Sequence, residues 1–258
     1  MTRDSFLEFP SCLRRGGGDS RRGGGRRVTH CALSAAALLL LTAAAPAGAG
    51  EPEWKRLQDQ ATAHLQRGEF EQAGRFAREA LKEADATLGP DHRATEASLS
   101  TLSLALRLSG KPDDALPVAQ RLVAVRTKHY GPENPATAIA LHNSAEILIA
   151  QNRFVEAGQL QARALAVFEQ KLGAKHVHTA TGLHNMGAIL LKQEKYSEAE
   201  KYLRRALEAK QQALKPGHLS IAHTLDNLAS TLDAQGRSIE ADKYRRRAEN
   251  IRRKAPPS

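Results

Sequence analysis

The amino-acid sequence predicts an all-α fold, a solenoid of about five antiparallel helix pairs, and three observations support this prediction. The segment from Leu141 to Gly173 reads LHNSAEILIAQNRFVEAGQLQARALAVFEQKLG, and 42 residues later the chain reads LHNMGAILLKQEKYSEAEKYLRRALEAKQQALK. A linker with glycine or proline recurs at the same interval. Between linkers, apolar residues recur with helical spacing. A fixed period of this length indicates stacked repeats that bury their apolar faces against their neighbours.

Four linkers separate the predicted helix pairs. They are Leu88–His92, Tyr130–Asn134, Leu172–His176 and Leu214–His218, and they follow one another at 42-residue intervals without an insertion or deletion. Glycine just after a helix and proline soon after it are helix stop signals. Asn134 followed by Pro135 therefore predicts an N-cap with proline at the first helical position.

Each unit contains two helical patterns. In the first helix, apolar or small residues fall at offsets 0, 3, 4 and 7, which form one face of an α-helix. In the second helix, apolar residues again form a single stripe. In the first helices, the residues at these offsets are Leu99, Leu102, Ser103 and Leu106; Leu141, Ser144, Ala145 and Leu148; Leu183, Met186, Gly187 and Leu190; and Leu225, Leu228, Ala229 and Leu232. An example of the stripe in a second helix is Ala199, Tyr202, Leu203, Ala206 and Leu207. Each helix is expected to run about 16 residues, roughly 24 Å.

The first and last repeats differ from the others as capping units do. Gln60 and His64 stand at positions that are apolar in most other repeats, and Arg245 and Glu249 interrupt the apolar stripe of the last helix. Terminal repeats with polar outer faces keep an array soluble. The array is therefore predicted to be complete at five pairs, with units at 51–92, 93–134, 135–176, 177–218 and 219–255 and a disordered tail at 256–258.

Residues 1–50 differ in composition from the array. Seven arginines precede an uncharged stretch from Val28 to Gly50, whose apolar core ends in small residues at 46–49. A basic n-region, a short apolar core and an A-x-A site are typical of a secretory signal peptide, whereas a membrane span needs about 20 apolar residues. We expect a protein exported to the periplasm or secreted after signal cleavage. The alternative is an uncleaved membrane anchor at residues 28–45.

Charge and cysteine content change when this segment is set aside. The full chain has a net charge of +10, but residues 51–258 carry 31 basic and 25 acidic residues, a net charge of +6. The aromatic content is only 4%, which leaves few rings to stack on bases, so no nucleic-acid partner is expected. Both cysteines, Cys12 and Cys31, precede the array. An exported array without disulfides must be held together by packing.

Motifs of catalysis are absent from the sequence. It contains no G-x-S-x-G, no H-E-x-x-H, no phosphate-binding loop and no dinucleotide fingerprint. Its many carboxylates recur on helix exteriors, as solvated faces do. The chain is therefore not expected to be an enzyme, and no cofactor is expected.

The repeat resembles the tetratricopeptide repeat family, in the 42-residue form found in kinesin light chains and many bacterial proteins. The resemblance covers residues 52–254 and is looser in the first repeat. It implies a right-handed α-solenoid whose first helices line a concave groove that binds extended peptides or partner segments. The residues that carry it are the L-H-N starts at Leu141 and Leu183, the E-A pairs at Glu156 and Glu198, the R-A-L runs at Arg163 and Arg205, and the linker at Gly89.

A ladder of asparagines marks the candidate peptide site. Asn143, Asn185 and Asn227 occupy one position of three successive first helices. Each amide has donors and an acceptor, so the ladder is suited to pairing with the backbone of an extended peptide. The alternative is that these amides only bridge neighbouring helices.

Further polar residues are expected to share this groove. They are His142, His184, Asp226 and Glu146. The first three are of metal-ligand type, but neighbouring repeats place them roughly 10 Å apart, too far for one ion. The His176-x-His178 pair with His184 is a looser arrangement, so no metal is expected.

Four arginines recur on the second helices and are possible contacts for an acidic partner: Arg121, Arg163, Arg205 and Arg247. A solvated face paired with glutamates is the alternative. Overall, the sequence predicts a non-catalytic scaffold that binds an extended peptide or partner protein in the concave groove. Membrane contact is expected only through an uncleaved N-terminal segment. The alternative function is a structural or assembly component of a cell-envelope complex, acting through its convex face or basic C-terminus.

Overall fold

The computed structural model describes residues 50–254, and these residues form ten helices. Nearly all of the predicted signal peptide or anchor, and the predicted tail at 256–258, lie outside the described residues. The helices are α1 (Gly50–Gln66), α2 (Phe70–Thr87), α3 (Arg93–Leu108), α4 (Pro112–Tyr130), α5 (Pro135–Ala150), α6 (Phe154–Lys171), α7 (Val177–Lys192), α8 (Tyr196–Ala213), α9 (Leu219–Ala234) and α10 (Ser238–Lys254).

The helices pack as five consecutive pairs, which confirms the predicted all-α solenoid. Each helix packs against the next one along the chain. First helices also contact one another at α1–α3, α5–α7 and α7–α9, while the α3–α5 contact is weaker. The first helices therefore line the inner face of the array, and the second helices form its outer face. Among residues 50–254, no strand is present and no helix combines the length and apolar character needed to cross a bilayer.

The linkers repeat one local geometry because their last residue caps the following helix. The side chain of Asn134 accepts a hydrogen bond from the Ala136 N–H, at 2.8 Å, as predicted. Histidines at the same position do the same with Nδ1: His92, His176 and His218. Each cap satisfies one of the backbone donors that the first turn of a helix leaves free.

In three of the four linkers, a threonine of the following helix hydrogen-bonds to the linker backbone. Thr95, Thr137 and Thr179 donate to the carbonyl oxygens of the linker glycines at 2.7, 2.8 and 2.8 Å. Those glycines, Gly89, Gly131 and Gly173, have φ values of 98°, 86° and 86°, a backbone conformation that favours glycine. The linker before α9 has neither feature, since Lys215 and Ile221 stand at these positions.

Small residues let the helices of the core approach closely. Fully buried alanines recur on the second helices, for example Ala77, Ala157 and Ala199. Gly187 packs directly on Leu203, and a Cβ added at Gly187 would lie 2.6 Å from the Leu203 Cγ. The predicted apolar faces therefore pack with small residues at the points of closest approach.

Candidate functional site

The inner face of the array carries polar side chains that link neighbouring first helices. The first link joins α1 to α3 through Gln58, which stands 84 residues before His142. Its Nε2 donates to the Thr101 Oγ1 at 2.6 Å, and the Ser98 Oγ donates to its Oε1 at 3.2 Å. One side chain therefore reaches residues 40 and 43 positions later, on the next first helix.

His184 makes the same link between α7 and α9. The Asn227 amide donates to His184 Nε2 at 3.5 Å, so the proton of a neutral ring lies on Nδ1 and is directed to Thr224 Oγ1 at 3.1 Å. Burial, and then the neighbouring cation Lys210, hold the pKa of His184 well below 6.5. Asn227 thus faces a neutral histidine of the preceding repeat and bridges two helices.

Glu146 is the centre of the link between α5 and α7. Its carboxylate lies 3.2 Å from the Arg107 Nη1 and 3.7 Å from the His142 Nε2, and it accepts a 3.2 Å hydrogen bond from the Asn185 amide. Burial raises the pKa of Glu146, but the combined effect of His142, Arg107 and Asn185 lowers it by more. The pKa is therefore below 4.5 and the carboxylate is ionised. Asn185 is therefore also engaged in a bridge.

Asn143 is the exception in the ladder. Within residues 50–254 its amide has no hydrogen-bond partner, and it is half-buried. The residue 43 positions earlier is Ser100, which is too short to reach it, and α3 and α5 make the weakest contact among successive first helices. Its two donors and one acceptor are consequently available to a ligand.

The other predicted groove residues are occupied within the chain. His142 is buried, with 7% exposure, and its Nδ1 lies 2.9 Å from Gln161 Oε1. Asp226 pairs with Arg252 of α10. No group of three or more metal-type side chains lies close enough to hold an ion among the described residues. The His176 and His178 rings stack at 5.3 Å, and burial lowers the pKa of His178 to about 4.

The arginines of the second helices divide into paired and unpaired positions. Arg121 binds both carboxylate oxygens of Asp85, at 2.8 and 2.5 Å, and Arg205 binds Glu169 at 2.6 Å. In both pairs the acidic residue stands 36 positions earlier. At that spacing Arg163 and Arg247 meet Thr127 and Gln211, and neither arginine has an ion pair in residues 50–254. Arg163 and Arg247 are therefore exposed on the outer face without a carboxylate partner in the part of the chain that the structure describes.

Two polar clusters escaped the sequence analysis. Gln161 is fully buried, and its Nε2 has no hydrogen-bond partner among the described residues. It occupies space that Gly182 leaves open, since a Cβ there would lie 3.1 Å from Nε2. In the sequence, this cluster is visible only because Gln161 stands at a position of the second helix where other repeats carry Ala77, Ala119 or Leu203.

The second cluster surrounds Glu96, which is 8% exposed. Its carboxylate accepts hydrogen bonds of 2.9 Å from Arg126 Nε and from the Tyr130 hydroxyl. Burial opposes ionisation, but these two donors lower the pKa of Glu96 below 4.5. The other first helices from α5 onward have alanine at this position, and that contrast was the available signal.

Comparison with known proteins agrees with this architecture. The family model described as tetratricopeptide repeat matches residues 56–128, 136–212 and 178–254. No curated protein sequence matches the chain.

Solved structures share the fold at low sequence identity. A Podosopora anserina protein described as a kinesin light chain with nearly identical TPR-like repeats has 21% identity and a TM-score of 0.65, over 80% of this chain and 98% of that chain. BtubC (BKLC) from P. vanneervenii has 22% identity and a TM-score of 0.65, over 79% and 82%. MamA from Desulfovibrio magneticus RS-1 has 16% identity and a TM-score of 0.59, over 81% and 100%. With the repeat model matching most of its length, the chain belongs to the tetratricopeptide repeat family.

Proposed function

We propose that this protein is a non-catalytic interaction scaffold that holds an extended peptide or partner segment along the inner face of its first helices. A protein-interaction role is consistent with the tetratricopeptide repeat fold. The observation that carries the peptide mode is the amide of Asn143, which has no hydrogen-bond partner among the described residues and lies on α5, whose contact with α3 is the weakest between successive first helices.

The surroundings of Asn143 favour an extended ligand. Ile139 and Glu146 lie one turn away on α5, and Leu104 occupies on α3 the position of Glu146; all three are partly exposed. An amide can donate to a peptide carbonyl and accept from a peptide N–H, independently of the peptide's sequence. The neighbouring aliphatic side chains would then contact the ligand's side chains. Binding in this mode would be centred on repeats two and three.

The test is capture of partners by the tagged protein from its own host, compared between wild type and Asn143→Leu. Loss of one ligand hydrogen bond and burial of an unpaired peptide group should weaken binding by about 1–3 kcal/mol, which is roughly 5-fold to 150-fold. Affinities for each captured partner should be measured by titration with the purified chain. A partner that binds Asn143→Leu as tightly as wild type would contradict the peptide mode.

A matched control separates the groove from a general effect of added leucine. Gln159 is exposed on α6, on the outer face, and has no hydrogen-bond partner among the described residues. Gln159→Leu should therefore leave partner affinity unchanged. If it weakens binding as much as Asn143→Leu does, the loss is a general effect of added leucine and the peptide mode is contradicted.

A second candidate function is an assembly role through the outer face. The observation that favours it is that Arg163 and Arg247 have no ion pair within residues 50–254. Their replacement by glutamine should then disrupt a complex that Asn143→Leu leaves intact, as measured by size-exclusion chromatography of the tagged protein isolated with its partners.

We also propose that the protein is exported, because residues 1–50 have the composition of a signal peptide. Cleavage near residues 46–50 would release the array from the apolar segment. N-terminal sequencing of the protein isolated from its host tests this, and an intact residue 1–50 segment would contradict cleavage.

A further inference from the structure

The outward face of α10 carries a row of cations. Ala241 and Ala248 are its buried residues, and at 100° per residue the opposite side carries Ile239, Lys243, Arg246, Arg247, Asn250, Arg253 and Lys254. All seven are exposed. We call these residues the α10 stripe. It contains five cations, and it extends roughly 16 Å from Lys243 to Lys254. The exposed carboxylates Asp242 and Glu249 border it, and Asp242 pairs with Arg245.

The other arginines of the last repeat form ion pairs with carboxylates of the array. Arg245 pairs with Asp242 at 2.7 Å and also with Asp233, and Arg252 pairs with Asp226. Arg237 lies 2.8 Å from Glu200 and also pairs with Glu240. The arginines directed towards the array are thus neutralised by carboxylates of the array.

The cations of the α10 stripe have no such partners. Among residues 50–254, Lys243, Arg246, Arg247 and Lys254 have no ion pair or hydrogen bond through their side chains, and Arg253 donates to the amide oxygen of Asn250 at 3.2 Å. Within residues 50–254, these five positive charges have no carboxylate partner, so they can attract anions outside the chain.

An apolar side chain completes this surface. Ile239 is 84% exposed, the largest exposure among the exposed large hydrophobic residues of the described part of the chain. It stands one helical turn before Lys243 on the same side of α10. An exposed aliphatic residue beside a row of Lys and Arg is the combination that binds the interfacial region of a bilayer, since apolar burial adds to attraction by anionic headgroups.

We propose that the α10 stripe docks on the surface of an anionic lipid bilayer, with the cations against lipid phosphates and Ile239 at the acyl boundary. A protein interface normally has an apolar core, which this stripe lacks apart from Ile239. Single-stranded nucleic-acid binding draws on stacking aromatics, and the stripe has none. This surface differs from the sequence-based expectation that only the N-terminal segment contacts membranes.

The test uses the full chain and sedimentation with large unilamellar vesicles of phosphatidylcholine alone or with 30% phosphatidylserine. The stripe variant replaces Arg246, Arg247 and Arg253 with glutamine. The control variant replaces Arg75, Arg78 and Arg163, three exposed arginines of the outer face that also lack ion pairs in residues 50–254. Both variants lose the same charge and keep residues 1–50, so their difference reports the stripe alone.

Wild type and the control variant should bind the anionic vesicles, whereas the stripe variant should partition roughly tenfold to a hundredfold less. Binding should weaken as salt rises, because salt screens the surface potential. Ile239→Ser should weaken binding in both low and high salt. Circular dichroism checks that the variants are folded.

Equal vesicle binding by the stripe and control variants would overturn the proposal. Stripe-dependent binding to a single-stranded oligonucleotide, with no preference for the anionic vesicles, would also overturn it and identify the stripe as a nucleic-acid contact.

Discussion

The side-chain amide of Asn185 donates to Oε1 of Glu146 at 3.2 Å and so joins two first helices across a repeat boundary. Asn143, at the same position one repeat earlier, makes no hydrogen bond among the described residues. One residue type in one register therefore has a structural role in α7 and a free amide in α5.

Replacing these asparagines by leucine should affect stability differently. Asn185→Leu removes a hydrogen bond to the ionised Glu146 and should lower the free energy of unfolding by about 1.5–3 kcal/mol. Asn143→Leu breaks no internal bond and should change it by less than about 0.5 kcal/mol. Urea unfolding followed by circular dichroism measures both. Equal losses would mean that Asn143 also has a structural role in solution.

The glycines of the helices provide a graded packing test. An added Cβ meets Leu203 at 2.6 Å from Gly187 but meets Ala105 only at 3.8 Å from Gly74. Gly187→Ala should lower the free energy of unfolding by about 1–3 kcal/mol, because α7 and α8 must move apart. Gly74→Ala should raise it by up to about 1 kcal/mol through better helix propensity. Thermal unfolding of both variants, beside wild type, decides the order.

Stability should fall as the pH falls below about 6.5. Burial lowers the pKa of His184 well below 6.5 and that of His178 to about 4. The unfolded chain therefore binds protons that the folded chain does not bind, so stability is full above pH 6.5 and is lost towards pH 4. The slope contributed by one such histidine approaches about 1.4 kcal/mol per pH unit.

His178→Leu should reduce that slope between pH 6.5 and 4. The measurement is the unfolding midpoint in urea at several pH values for both proteins. The carboxylates Glu96 and Glu146, with folded pKa values below 4.5, should add a second loss of stability at lower pH in wild type and variant alike. An identical pH profile above pH 5 would show that His178 does not titrate as its burial requires.

Two arginines at equivalent positions on the outer face should contribute unequally to the free energy of unfolding, because they differ in ion pairing. Arg121→Ala removes the two contacts with Asp85 and should cost about 0.5–1 kcal/mol of unfolding free energy, since the pair is partly solvated. Arg163→Ala removes no ion pair and should cost less than about 0.3 kcal/mol. The difference should shrink in 1 M NaCl, which screens exposed charges. A larger loss for Arg163→Ala would refute the pairing rule of 36 residues.

The sequence was sufficient for the architecture because repetition makes each helix face visible several times. The apolar offsets around Leu141 and Leu183, and the Asn134 cap, were predicted from local rules and are present. The roles of individual polar residues were less accessible. Whether Asn143 finds a partner depends on how far α3 and α5 stand apart, and the pairing of Asn185 depends on the distance between α5 and α7. A residue spacing gives neither distance.

Long-range polar pairs were missed for the same reason. Gln161 was recognisable only as an exception to a small-residue position, and its contact with His142 depends on space left by Gly182. Similarly, Arg121 and Arg163 occupy equivalent positions, but only one of them meets an acid 36 residues earlier. Such differences arise where the repeats diverge from one another, so the repeat consensus does not predict them.

The missing threonine hydrogen bond before α9 has a consequence for local opening of the array. Thr95, Thr137 and Thr179 tie three linkers to the helices that follow them, but Ile221 leaves the fourth linker without that tie. In a linear array each unit is held only by its neighbours. The linker before α9 therefore lacks one hydrogen bond that the three other linkers have, and amide hydrogen exchange should be faster in this linker than in the others. If α10 contacts a bilayer, the linker that joins its helix pair to the rest of the array is the one without this hydrogen bond.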